Sequence, residues 1–139
     1  MSLTRRVLEI LFIGVVVILA TTRPVVAGAP PGTKQSIRGG GVTVDVTFLK
    51  EGGDAATFQV ALNTHSVNLD AYSFEEIVRL RDSQGSELVP MVVDSVTGSG
   101  HHRRATVRFA WPRPKPTILE LVVKGVAGVP ERVFRWTVQ

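Results

Sequence analysis

Cysteine is absent from all 139 residues, which excludes disulfide staples, thiolate metal sites, a cysteine nucleophile and a lipoprotein anchor. Aromatic residues make up only 6%, with one tyrosine, and there are three histidines. No Gly-x-Ser-x-Gly elbow, phosphate-binding loop or dinucleotide fingerprint occurs, so the usual signatures of hydrolases and nucleotide enzymes are missing. After Ala20 no helical apolar period lasts beyond about a turn, the best candidate being Tyr72 to Ile77.

A long apolar run is missing too. Ile10 to Ala20 is unbroken, but it falls well short of the roughly 20 residues a helix needs to cross a hydrocarbon core. Preceded by Arg5 and Arg6, it reads as the h-region of an export signal. Val25-Val26-Ala27 offers small or modest residues before a cut, so cleavage is expected after Ala27. The alternative is an uncleaved anchor, which would be the chain's only contact with a membrane. Either way the domain is expected outside the cytoplasm: periplasmic, extracellular, or held at the outer face. Loss of the leader takes three arginines and one glutamate with it and lowers the net charge from +4 to +2.

What is present is turn chemistry and alternation. Thirteen glycines and eight prolines among 44% apolar and 20% charged residues describe a folded, loop-rich chain. Residues 28–41 lack an apolar period and read as a flexible linker; the domain is expected over 42–139. Val42, Val44, Val46 and Phe48 alternate with polar residues, as a half-buried strand requires. Further strands are expected at Phe58–Leu62, Glu75–Asp82, Glu87–Val93, Ala105–Trp111, 117–124 and Arg132–Val138. Gly52-Gly53-Asp54 supplies the first turn, and Pro90 marks an edge strand. Trp111 and Trp136 lie in phase with inward residues and are expected in the core. Seven short strands predict an all-β, immunoglobulin-like antiparallel sandwich, without the cysteine pair of antibody domains.

The histidines carry the functional expectation. His65 follows the second predicted strand, and His101 and His102 precede the fifth. If consecutive strands reverse direction, these loops share one end of the domain with Asp70 and with the 125–131 turn. Imidazoles with a carboxylate suit copper(II) or zinc(II), so His65, His101, His102 and Asp70 are the candidate metal ligands. Adjacent histidines in an extended segment point to opposite faces, and Gly98 and Gly100 could supply the turn that brings both to one ion. The competing reading is that the histidines only brace the loops of a structural or protein-interaction module, whose partner would be an envelope protein.

Asp70, Glu131, Glu75 and Glu76 at the same end read as solvated rim charge rather than an acid–base pair. From His101 to Lys115 there are five cations and no acid. Alternation spreads them over different faces, so they read as a solvated strand face and no nucleic-acid partner is expected.

Asn63-Thr64-His65-Ser66-Val67-x-Leu69-Asp70, Gly100-His101-His102-Arg103 and the closing Glu131-Arg132-x-Phe134-x-Trp136 resemble a family of small exported prokaryotic proteins of unknown function. The resemblance covers about residues 42–139. It implies a secreted all-β domain and assigns no catalytic or binding residue. The family pattern has Asp where this chain has Asn68, which removes one candidate carboxylate, and Gly where it has Ser99. The expectation is therefore an exported, non-enzymatic binding module of the cell envelope.

Overall fold

The computed structural model describes residues 27–49 and 54–138. The expected leader, apart from Ala27, lies outside the described residues, as does the Gly52-Gly53 part of the first turn. Among the described residues no helix is long and apolar enough to cross a membrane.

The chain is all-β, in two antiparallel sheets. The described residues form nine strands rather than seven: β1 (Lys34–Gly39), β2 (Val42–Leu49), β3 (Ala55–Thr64), β4 (Val78–Arg81), β5 (Glu87–Leu88), β6 (Val92–Thr97), β7 (His102–Ala110), β8 (Ile118–Val126) and β9 (Val129–Thr137). One sheet runs β1-β2-β3-β7-β6 and the other β5-β4-β8-β9. Among the described residues a single short helix, α1 (Phe74–Ile77), stands where the third strand was expected to begin.

Two departures from the expected strands have local causes. Residues 28–41 are not simply a linker, because β1 pairs with β2 from Lys34↔Thr47 to Gly39↔Val42. Ile37 is its lone apolar residue, so no period announces it. The hairpin turn does: Gly40 and Gly41 have φ of +59° and +80°, the left-handed pair that a two-residue turn demands. Likewise the expected strand Glu87–Val93 divides at Pro90, where the chain leaves the four-stranded sheet and joins the five-stranded one. Both pieces are edge strands, where a missing ladder donor does no harm.

The core lies between the sheets and follows the alternation. Val42, Val44, Val46 and Phe48 of β2 are fully buried, and so are Phe58, Val60 and Leu62 of β3 and Phe134 and Trp136 of β9. Burial of each such side chain contributes about 1.5–3 kcal/mol. Phe48 and Phe58 stand 5.0 Å apart, and Phe58 and Trp136 5.4 Å. Trp111 is only half-buried, edge-on to Phe48 at 6.1 Å, with the Lys115 ammonium 4.6 Å from its ring centre.

A strap closes the sandwich. The Ala29 amide donates to the Arg135 carbonyl and the Thr137 amide to Ala29, at 3.0 and 2.9 Å, so residue 29 lies against β9. Gly32 then bonds Phe48 of the other sheet. Between them the Gln35 side-chain amide acts as a surrogate peptide, donating to the Arg135 carbonyl at 2.7 Å.

Candidate functional site

Strand reversal gathers the histidine loops as expected. β3 ends at Thr64 and β7 begins at His102, with Asn63 and His102 paired across the ladder. Hydrogen bonds join the two loops directly. The Thr64 amide donates to the His101 carbonyl at 2.9 Å and the Leu69 amide to the Gly100 carbonyl at 2.8 Å. Gly98 and Gly100, at φ of +82° and +65°, make the tight turn before β7.

Asp70 takes part in this bracing. Its Oδ1 accepts from the Gly100 amide at 2.7 Å, and its own amide donates to Asn68 Oδ1 at 2.9 Å. Arg103 is the central clamp. Its guanidinium donates to the Leu69 carbonyl at 2.9 Å and to the Tyr72 carbonyl, and lies 5.3 Å from the Phe74 ring centre. Tyr72 Oη in turn accepts from the Ala127 amide at 2.9 Å.

Beneath the pole sits Arg132, 1% exposed. It donates to the Val126 carbonyl at 3.0 Å and the Gly39 carbonyl at 2.6 Å, tying two hairpin turns together. Burial lowers its affinity for a proton, the nearby Tyr72 acting in the opposite sense. Among the described residues its Nε has no hydrogen-bond partner. Arg132 shares the parity of Phe134, Trp136 and Val138, so a cation in an inward phase was the sequence signal for it.

Of the four expected ligands, the structure brings two together. The rings of His65 and His102 meet edge to face with centroids 6.5 Å apart, and both side chains are exposed. His101 is exposed and contributes its carbonyl to the loop bracing. Among the described residues no group of three or more histidine, cysteine or carboxylate side chains is placed to hold a metal ion.

His102 is held by residues the sequence reading did not single out. On the outer face of the five-stranded sheet, Ser36 Oγ donates to Asp45 Oδ1 at 2.5 Å, and Asn63 Nδ2 donates to Asp45 Oδ2 at 3.1 Å. Asn63 Oδ1 then lies 3.0 Å from His102 Nδ1. The direction of this row is forced. An ionised carboxylate only accepts, so Asn63 turns its NH2 to Asp45 and its oxygen to the imidazole, which must supply the hydrogen. In the neutral ring this places the hydrogen on Nδ1 and the lone pair on Nε2. The row sets an amide against the imidazole and a carboxylate against the hydroxyl, so Ser36 and His102 do not form a nucleophile–base pair.

Beside the row the outer face dips into a groove of about 640 Å³ lined by Lys34, Asp45, Gln59, Asn63, His102 and Arg104 among others. The cations between His101 and Lys115 disperse as expected: Arg103 goes to the clamp, Arg108 pairs with Asp94 at 2.9 Å, and Arg104 lines the groove. Glu131 stands close to the β8–β9 turn but faces outward. It lies on the outer face of the other sheet, 2.9 Å from Arg81.

Comparison of the chain with family models, with curated proteins and with solved structures gave no match.

Proposed function

We propose that the chain is an exported, non-enzymatic binding module of the cell envelope, an immunoglobulin-like sandwich that holds copper(II) or zinc(II) between His65 and His102. The observation that supports it is the hydrogen-bonded row Ser36–Asp45–Asn63–His102. A histidine that ligates a metal through one nitrogen characteristically donates its other N–H to a fixed acceptor, which orients the ring and raises its basicity. His102 has that support, and His65 is close enough for a side-chain rotation to bring a second imidazole to the same ion. Water would fill the remaining positions. With imidazole donors copper(II) binds ahead of zinc(II).

The test is a metal titration of untagged, chelator-stripped protein followed by melting temperature. At about 100 times the dissociation constant the expected gain is about 2.7 kcal/mol. His65→Ala and His102→Ala remove the gain, whereas His101→Ala keeps it. A titration without any shift in the wild type rules the site out. Export is checked by finding the processed chain outside the cytoplasm.

A second reading has its own support: Asp70 and Arg103 are committed to bracing loops, as a protein-interaction surface would require. It predicts that His65→Ala lowers stability and that metal has no effect on either protein.

A further inference from the structure

We infer that the groove on the outer face of the five-stranded sheet binds a small hydroxycarboxylate, of the sugar-acid or citrate class, with Arg104 as the carboxylate anchor. This goes beyond the metal reading and does not depend on it. The groove exists because Ala61 stands in the middle of the face. Its cross-strand neighbours are Asp45 on β2 and Arg104 on β7, so a methyl group is flanked by long polar side chains and the surface sinks between them. The resulting volume, about 640 Å³, falls within the range of small-molecule sites.

The lining selects the ligand. Lys34 and Arg104 both face the groove, and among the described residues neither has an ion-pair partner. The third cation, Arg103, is spent on the Leu69 and Tyr72 carbonyls. The only acid in the lining, Asp45, already accepts from Ser36 and Asn63. Two open cations therefore remain for an anion. The rest of the wall consists of neutral hydrogen-bonding groups, among them Thr47, Gln59 and Thr97. Among the described residues no tryptophan, tyrosine or phenylalanine lines the groove, which removes the broad stacking platform that bases and single-stranded nucleic acid use. An anion rich in hydroxyl groups fits this inventory, with its carboxylate on the planar fork of Arg104.

The test is a calorimetric titration of the purified, metal-free chain with glucuronate and with citrate, and with inorganic phosphate and glucose for comparison. Binding of at least one hydroxycarboxylate is expected, weakened tenfold or more by Arg104→Ala and not restored by Arg104→Lys. Both variants lie on an exposed face, and an unchanged melting temperature shows that they fold. The inference is overturned if neither hydroxycarboxylate binds, if Arg104→Ala binds as well as the wild type, or if phosphate or glucose binds as tightly. A parallel copper titration of the same preparation reads the histidine pair, so failure at the groove and failure at the metal site are told apart.

Discussion

The Nδ1 nitrogen of His102 lies 3.0 Å from the side-chain oxygen of Asn63, and this contact decides which ring nitrogen can meet a ligand. In the proposed metal site Asn63 is a positioning residue with no part in coordination. Asn63→Leu should leave both imidazoles in place and still weaken copper binding by about 10–100-fold, the usual effect of losing such support. Equal affinity of variant and wild type, measured by titration, would show that the amide does not hold the ring.

Arg103 links β7 to the loop before α1 through two backbone carbonyls. Hydrogen bonds to a charged group are worth about 1.5–3 kcal/mol each. Arg103→Ala should therefore lower unfolding stability by about 2–4 kcal/mol in urea denaturation. Arg103→Lys should recover little, since one ammonium cannot reproduce the fork. Faster hydrogen exchange at the Leu69 amide would localise the damage to the pole.

Gly98 is held at a φ of +82°, and a Cβ there would stand 2.0 Å from the His102 carbonyl oxygen. Gly98→Ala should cost about 1–3 kcal/mol from backbone strain alone. Because the turn sets where β7 begins, the same variant should weaken metal binding, which a titration on the folded fraction measures. An alanine tolerated without loss of either property would contradict the geometry.

The outer face of the four-stranded sheet predicts a pH dependence. Hydrogen bonds from Lys124 and then from Arg81 hold the Glu87 carboxyl below its ordinary value of 4.5. A carboxyl lowered on folding stabilises the fold above that ordinary value, and the contribution disappears as pH falls through the lowered one. Arg81 is raised by the same pairing, so it stays charged throughout the acid range and the pair is lost through the carboxyl alone. The melting-temperature gap between the wild type and Glu87→Gln should be full at neutral pH, shrink in strong salt, and close as the pH drops below about 4. A gap that persists at low pH would mean the glutamine loses something other than an ion pair.

Much of the fold could be read from alternation alone. Phe48, Phe58, Val107, Leu121 and Phe134 all occupy inward phases of strands the pattern marks. Reversal of successive strands was sufficient to place the two histidine loops together. β1 escaped because pairing with β2, and not its own apolar content, makes it a strand. The division at Pro90 escaped because a two-residue strand has no period. At the site, His65 and His102 were nominated by residue type. The Asp45–Asn63–His102 row was not, because it depends on the register of three strands, which no single segment encodes. The bracing role of Asp70, nominated as a ligand, was hidden for a related reason: a loop carboxylate looks the same whether it faces an ion or a neighbouring amide, and only the fold shows the Gly100 N–H in front of it.

The strap gives the molecule a direction. Ala29 rests against Trp136 and Thr137 at the foot of β9, while the imidazoles crown the far end, roughly 30 Å away at the usual rise of a nine-residue strand. Held at Ala27, the sandwich would stand with its strap toward the support and the two imidazoles at the opposite tip.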